Sequence, residues 1–423
     1  MSGDNKNHLL LFTILLSAVL LSIKFSIQGP LYPPEASSKG LNASQYGFTV
    51  SAYEFSYIAT SAASVTLMNR FGTKACFIGG NILAGLATVA FGLLHYINDS
   101  TLFLVTSFII RFIEGIGSTG GYISITILIT SCYKENKNFY LAIKEGFLSL
   151  GLCIGPLFGG VINDATDFFT PFLISGALMI LAAICSICVV EKTEPQPKSK
   201  KKKGSALRVL SLPAMWIGLF ATLLACFGHA FIVLLLEPYI RVFNFSGFEV
   251  GLLFLINSLV FAIASLVSGK LLDANVDPLI PMIFGTGAHI LCFIFLGPIP
   301  TDNPRLWSVI LALSFNGLAM AGLMIPALIN TLNVLKSNRF NDDETTTVVA
   351  TGIWSCALAV GYIIGSPLGG VMYDFIGMNQ ACIIVGALNL LFFTIVVAVY
   401  IQKRLNSRII LEYTYEETDE LLS

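Results

Sequence analysis

The stretch GLCIGPLFGGVIND, residues 151–164, returns as GYIIGSPLGGVMYD at residues 361–374. Each matched glycine and the closing aspartate are displaced by the same 210 positions, and only the proline slips by one place. A motif repeated at one fixed offset indicates that the chain is duplicated. The repeated positions are Gly151, Gly155, Pro156, Gly159 and Gly160, and in the second copy Gly361, Gly365, Pro367, Gly369 and Gly370.

The spacing within the motif has a direct physical meaning. Glycines four residues apart lie on one helix face, where they let a neighbouring backbone approach closely. A proline frees a backbone carbonyl and permits a bend. Helix packing explains either copy alone. At matched places in two halves, the motif predicts the surface on which the halves move against each other.

The composition is that of a membrane protein, with 55% hydrophobic and 12% charged residues. Apolar runs of about 20 residues, each long enough to cross a bilayer, recur along the chain. They predict an all-α fold of twelve transmembrane helices in two pseudo-symmetric six-helix bundles. The predicted helices are 9–28, 46–68, 75–96, 102–131, 140–161, 169–190, 213–236, 247–270, 279–297, 306–331, 346–371 and 378–401. The predicted regions are a bundle at 1–190, a cytosolic linker at 191–212, a bundle at 213–401 and a cytosolic acidic tail at 402–423.

Several classes of function are excluded by composition. The net charge of −1 argues against a nucleic-acid partner. The nine cysteines lie within or at the ends of apolar runs, which disfavours a disulfide framework. We find no nucleophile–base pattern or metal-ligand spacing, and therefore expect no enzyme, no cofactor and no metal site.

The distribution of positive charge predicts the orientation. Lysine and arginine concentrate in loops on one side, including Lys200–Lys203, whereas the other side holds Lys39, Arg241 and Arg305. Both termini are therefore predicted to be cytosolic. Three glycosylation sequons fall in loops assigned to the opposite side, at Asn42, Asn98 and Asn244.

Charged residues inside the apolar runs are candidates for function, because an ionised side chain in the bilayer is costly. Glu54 lies within the second run, and Arg111 and Glu114 share one face of the fourth. Arg111 and Glu114 either neutralise each other or, with Glu54, serve a central cavity. Buried, neighbouring carboxylates favour the protonated form, so we predict Glu54, Glu114 and Glu145 as proton-coupling residues. For Glu145, a structural role remains equally open.

Lysines in the apolar runs have ordinary alternatives. Lys144 lies near the cytosolic end of the fifth run, where its stem can reach the surface. Lys24 is expected to reach the membrane surface or to act as a counter-ion. His229 and His289 are single histidines for which packing or a proton relay are both open.

Other polar and aromatic residues are predicted to bind substrate, although packing is an alternative for each. Aromatic rings attract cations, mid-helix amides can line a cavity, and Glu237 is placed to collect cations at a mouth. The predicted substrate-binding residues are Tyr53, Tyr57, Arg111, Glu237, Asn257, Asn316, Trp354 and Tyr362.

The duplicated glycine–proline motif resembles that of the major facilitator superfamily, in its proton-coupled antiporter branch. Arg111-x-x-x-Gly115-x-Gly117 is similar to the helix-4 motif of that superfamily. The gate motif after helix 2 is matched imperfectly, because Val65 and Asn69 replace its glycine and aspartate. That departure puts the charge pairing of the first-half gate in doubt.

Further patches resemble the vesicular amine transporter family, and within it the polyamine-transporting branch. These patches are Gly29-Pro-Leu-Tyr-Pro33, Leu210-Ser-Leu-Pro213, residues 251–300 and Glu145. The resemblance implies a proton-coupled antiporter that moves organic cations, with polyamines as the implied substrate, from the cytosol into an acidic organelle. Monoamine carriers of the family bear an aspartate in helix 1, whereas this helix has Lys24.

The tail predicts the compartment. Glu417, three spacers and Leu421-Leu422 resemble the acidic dileucine signal that cytosolic sorting adaptors bind, and a solvated acidic tail is the alternative. We expect a monomer in the membrane of secretory vesicles or endolysosomes. Two functions remain as alternatives: a carrier of another organic cation, drug or metabolite, and a membrane sensor that transports nothing.

Overall fold

The computed structural model describes residues 3–133, 137–190, 210–299, 304–337 and 344–422, and within these ranges the chain is helical without strands. The first half contains α1 (Gly3–Ser26), α2 (Gln28–Ser38), α3 (Ala43–Phe71), α4 (Thr73–Leu93), α5 (Ser100–Cys132), α6 (Lys137–Ala165) and α7 (Phe169–Val189). The second contains α8 (Pro213–Ile240), α9 (Gly247–Asp273), α10 (Leu279–Leu296), α11 (Leu306–Ser337) and the helical stretch Glu344–Leu422. This stretch breaks at Gly377, where φ is 76° and ψ is 168°, and we number its two arms α12 and α13.

Twelve spans result, as predicted. Among the described residues, ten stretches are long and apolar enough to cross a membrane. The stretch His8–Ser38 joins α1 and α2, and Gly352–Asn406 covers both α12 and α13. The twelfth span is α3, which is more polar but has 29 residues, a length of roughly 43 Å at 1.5 Å per residue.

Helix boundaries differ most from the predictions in two places. The first span extends beyond residue 28 to Ser38 as a second helical segment after Ile27. The last helix continues to Leu422 instead of ending at 401, because no glycine or proline follows Gly386 to end it. The linker residues 191–209 and the side chains of Glu417, Leu421 and Leu422 lie outside the described part of the chain.

The cores show where the two halves meet. The largest core cluster combines side chains of both halves, such as Tyr32, Phe103, Phe231 and Phe293. It lies at the end of the bundle that carries residues 39–42 and 241–246, which we call the sealed end. Toward the other end, each half has a core cluster of its own. Among the described residues, the halves share a core at the sealed end, whereas the clusters toward the other end each belong to one half.

Two reciprocal contacts, which we call the clasps, hold the sealed end together. Asp164, at the end of α6, accepts hydrogen bonds from the backbone N–H groups of Gly247 (2.7 Å) and Phe248 (2.8 Å), at the start of α9. Asp374, in α12, accepts from the N–H groups of Ala43 (3.2 Å) and Ser44 (2.8 Å), at the start of α3. Each carboxylate thus binds the positive end of a helix dipole in the opposite half.

The helix starts that the clasps bind are also built alike. The side chain of Asn42 caps α3 in a capping box with Gln45, and Ser246 caps α9 in a capping box with Glu249. These caps satisfy N–H groups of the first turn. The duplication therefore extends from the glycine motif to the helix ends that the motif's aspartates bind.

The glycines of the motif divide between two surfaces, which corrects the prediction that they all form the surface between halves. Gly151 and Gly155 lie against α1, and their counterparts Gly361 and Gly365 lie against α8, each within its own half. Gly159 and Gly369 also face their own half. The last glycines, Gly160 and Gly370, contact Gly247 and Ala43 across the seam, and Pro156 lies beside Gly251.

We expect Gly151→Ala to destabilise the fold, because the added Cβ would lie 2.5 Å from the carbonyl oxygen of Val19. Overpacking of this kind costs about 1–3 kcal/mol. Gly361→Ala, whose Cβ would lie 2.6 Å from the carbonyl oxygen of Leu223, should act alike. The midpoint of thermal unfolding of the purified protein measures the effect.

The matched control is Gly146→Ala in the same helix, where the added Cβ meets no atom within 4 Å. This variant should unfold at or slightly above the wild-type temperature, since alanine favours helix. Equal midpoints for Gly151→Ala and Gly146→Ala would contradict the packing assignment.

Candidate functional site

A buried ion network occupies the middle of the first half. Lys24 Nζ lies 2.8 Å from Glu114 Oε1 and 2.6 Å from Ser118 Oγ. Arg111 Nη1 donates to Glu114 Oε2 at 2.7 Å, and Gln28 Nε2 donates to the same oxygen at 3.2 Å. Glu114 therefore receives hydrogen bonds on both oxygens. Lys24 is fully buried, so the expected position at the membrane surface is wrong and its predicted role as counter-ion is confirmed.

Helix geometry explains how these side chains meet. Arg111 and Glu114 are three residues apart on α5, and therefore share a face. Small residues of α5 allow close packing: a Cβ at Gly115 would meet the backbone of Tyr53, and one at Gly117 would meet that of Ala84. The ring of Tyr53 lies 4.7 Å from the guanidinium carbon of Arg111 and 5.2 Å from Lys24 Nζ. These are cation–π distances, which help to stabilise buried cations.

Glu54 differs from Glu114 in its surroundings. Its side chain is buried, with 8% exposure, yet it makes no hydrogen bond or ion pair with any residue in the described ranges. Arg111 lies within electrostatic range of it, as do Cys226 and Tyr362 of the other half. Glu54 thus faces the seam between the halves. Together with Lys24, Arg111 and Glu114 it makes a cluster of two positive and two negative charges.

A cavity of about 310 Å³ lies between the halves. Of the predicted substrate-binding residues, Arg111, Asn257 and Tyr362 line it. Gln28 and His229, which sequence analysis did not assign to a binding site, also line it. The cavity therefore presents a guanidinium from one half and neutral polar groups from the other.

The polar groups of the second half form a network of their own. The side-chain amide of Asn316 lies 2.9 Å from Asn257 Oδ1 and 3.1 Å from His229 Nδ1. His229 also packs edge-on against the ring of Tyr362, 6.0 Å between centroids. Asn316 is therefore placed behind Asn257 and His229, and does not itself line the cavity.

Two predicted residues, Tyr57 and Glu145, lie closer to the end of the bundle opposite the sealed end, which we call the open end. The hydroxyl of Tyr122 donates to Glu145 Oε1 at 3.2 Å, and the rings of Tyr122 and Tyr57 are 6.4 Å apart. Glu145 is 58% exposed and pairs with Lys144 at 2.7 Å. Tyr122 was not predicted, because nothing in its local sequence distinguishes it from a packing aromatic.

Two others lie apart from the cavity. Glu237 pairs with Arg241 at 2.8 Å, and Arg241 also donates to the carbonyl oxygen of Pro33 at 3.2 Å and to Ser37 Oγ at 3.0 Å. Glu237 thus orients a contact between the halves at the sealed end, where no mouth is open. The indole of Trp354 is not among the residues that line the cavity.

The sequon asparagines are exposed and flank the sealed end, at Asn42, Asn98 and Asn244. Their shared location matches the side to which the charge distribution assigned them. Glycosylation itself stays a prediction.

Comparison with known proteins places this site in a transporter fold. The sequence model of the Major Facilitator Superfamily matches residues 14–350. The MFS-type transporter SLC18B1 of Rattus norvegicus is 28% identical over 395 residues, which cover 89% of this chain and 84% of that protein. The Synaptic vesicular amine transporter of Homo sapiens is 26% identical over 336 residues, which cover 77% and 61%.

A similar fold is found among solved structures. The crystal structure of a mutant of the nucleoside transporter NupG superposes with a TM-score of 0.73 at 12% identity, over 91% of this chain and 99% of that one. At this identity the likeness concerns the fold alone.

We expect Glu114→Gln to destabilise the protein strongly, because Lys24 and Arg111 would lose their shared carboxylate. Breaking a buried ion pair by removing one partner costs about 3–5 kcal/mol. The additional change Lys24→Met should recover much of the loss. The readout is the midpoint of thermal unfolding.

Glu54→Gln is the matched control, since it neutralises a buried carboxylate that holds no described partner. Its midpoint should stay close to wild type. Equal losses for the two glutamine variants would contradict the assignment of Glu114 as the structural acid.

Proposed function

Because the chain belongs to the major facilitator superfamily, we propose that it is a proton-coupled antiporter that exchanges protons for small organic cations across an organelle membrane. It is a transporter related to the vesicular amine transporters. The single observation that carries the proposal is Glu54, a buried carboxylate at the seam between the halves that has no partner among the described residues.

Glu54 suits exchange because it can hold one positive charge at a time. An unpaired carboxylate in a low-dielectric site attracts either a proton or an organic cation. When a proton binds, the attraction for the cation is lost and the cation is released. When the cation binds, protonation is disfavoured. Competition for one carboxylate is sufficient to couple the two fluxes in opposite directions.

The other acids divide the remaining roles. Glu114, predicted to be proton-coupling, is hydrogen-bonded on both oxygens in this conformation, and we assign it the task of holding Lys24 and Arg111 in place. Because Glu114 is bound to these two cations, we do not assign it to the exchange of a proton or of a substrate cation. A proton-coupling role for Glu145 remains a prediction.

Alternating access of the cavity from the two sides of the membrane gives the cation its proposed path. In the described part of the chain the halves share a core at the sealed end and have separate cores toward the other, which supports a cavity that opens to one side at a time. By the positive-charge distribution, the open end faces the cytosol and the sealed end faces the lumen. We propose that cations enter from the cytosol and leave when the clasps open to an acidic lumen.

Polyamines are the proposed cargo, because the chain resembles the polyamine-transporting branch and its helix 1 carries Lys24 and not the aspartate of the monoamine carriers. The acidic dileucine tail supports a location in the membrane of secretory vesicles or endolysosomes, with sorting adaptors as partners. The carrier is proposed to be a monomer. Another organic cation, drug or metabolite is the alternative cargo. A competition panel of polyamines, monoamines and anions in reconstituted vesicles separates these candidates.

Glu54→Gln is expected to abolish accumulation of spermidine in proteoliposomes with an acidic interior, because the exchanging carboxylate is gone. Glu54→Asp keeps a carboxylate and should retain measurable, gradient-dependent uptake. Uptake of labelled spermidine with and without the pH gradient measures both. Wild-type coupling in Glu54→Gln would refute the proton assignment.

Asp374→Ala is expected to loosen the sealed end, because it removes charge-assisted hydrogen bonds to α3, each worth about 1.5–3 kcal/mol. Hydrogen–deuterium exchange of the amides of residues 43–47 should accelerate about tenfold or more. Asp164→Ala should do the same for residues 247–251. Asp273→Ala, at the far end of α9, is the control, and equal exchange in all three variants would refute the clasps.

A further inference from the structure

Lys144 carries an ammonium group in an unusual place. Its Nζ lies 2.7 Å from Glu145 Oε1, 3.3 Å from Thr126 Oγ1 and 4.3 Å from the centroid of the Tyr122 ring. The side chain of Lys144 is 3% exposed, although that of Glu145 is 58% exposed. A carboxylate, a hydroxyl and an aromatic face are the groups that bind a primary ammonium ligand. The protein's own lysine therefore shows that an ammonium fits there.

This ammonium position is connected to Glu54 by aromatic rings. The Tyr122 ring lies 6.4 Å from that of Tyr57, and Tyr57 shares a face of α3 with Glu54, three residues earlier. Tyr57 is within electrostatic range of both Glu54 and Glu145. A row of acid, two tyrosines and acid thus runs from α3 across α5 to α6.

The two carboxylates lie at different depths in the bundle. Glu54 is eleven residues from the start of α3 at the sealed end, and Glu145 is twenty residues from the end of α6 at the same end. At 1.5 Å per residue the two backbone positions differ by about 14 Å along the helix axes. A small monoamine is too short to reach both acids.

We propose that Glu145 and Tyr122 form a second ammonium site, held by Lys144 in this structure, which one terminal amine of a long linear polyamine takes over while its other end binds Glu54. This inference rests on the proposed function and specifies the cargo by the distance between its charges. The side chain of Glu145 is 58% exposed, so an incoming ammonium can reach it. Lys144 is near the start of α6, and its flexible stem can move its charge to the surface.

Replacement of one ammonium by another leaves the local charge unchanged. The leading amine of the polyamine therefore adds no uncompensated charge at Glu145 in the first step of entry. Attachment at one acid also raises the effective concentration of the second amine near the other acid. Two-point binding favours long polyamines over short diamines and monoamines.

The test compares butylamine, 1,4-diaminobutane and spermine in the uptake assay and in direct binding to the purified protein. Glu145→Gln should raise the half-saturating concentration of spermine roughly tenfold. The values for the two short amines should stay within about twofold. Lys144→Gln should lower the spermine value several-fold, because the competing ammonium is gone.

Four further variants sharpen the result. Tyr122→Phe keeps the aromatic face and should stay near wild type for spermine, whereas Tyr122→Leu should weaken it. The double variant Lys144→Gln/Glu145→Gln should behave like Glu145→Gln, because Lys144 acts through that carboxylate. Lys270→Gln, an exposed lysine on α9, should change none of the values.

The outcomes separate this inference from the proposed function. If Glu145→Gln changes all three amines equally, or none, while wild-type uptake remains coupled to protons, the second site is refuted and the antiporter stands. If the variants change spermine binding as expected but the wild type accumulates nothing, the antiporter is refuted and the site stands. A wild type that neither binds nor accumulates spermine refutes both.

Discussion

The pairing of buried charges is the constraint on which the rest of this molecule depends. A single uncompensated charge within the bilayer is costly, and Lys24 and Arg111 are two positive charges in one half. Glu114 compensates both through its two oxygens, which consumes its capacity. Glu54, the other buried acid of the cluster, has no partner in the part of the chain that the structure describes. It is therefore the acid of this cluster that we propose for exchange.

The fold places this charge where it can act on both halves. Glycines bring α6 against α1 and α12 against α8, so each half is tightly packed internally. The seam, by contrast, is held at one end by a shared core, by Arg241 and by the clasps of Asp164 and Asp374. Tight packing within halves and local contacts between them favour motion of whole bundles.

Much of the fold was predictable, because bilayer length and charge costs leave strong marks in sequence. The repeated motif revealed the duplication, and the three acids predicted to couple protons lie in one half, two of them buried; their role in coupling stays a prediction. The partners of these acids were not predictable: Lys24 and Glu114 are ninety positions apart, and only packing brings them together. The same limit concealed Tyr122, Gln28 and the two surfaces of the glycine motif. Helix ends such as Ser38 and Leu422 also depended on context that apolar periodicity does not record.

The reciprocal arrangement of the clasps bears on leakage. Each aspartate belongs to one half and accepts hydrogen bonds from a helix start of the other, so the two clasps cross the seam in opposite directions. Tilting the two bundles apart would stretch the hydrogen bonds of both clasps at the same time, because each half carries one of the two aspartates. We therefore expect the sealed end to open in one step. Partly opened forms of this end, which would leave the seam leaky, are therefore expected to be rare.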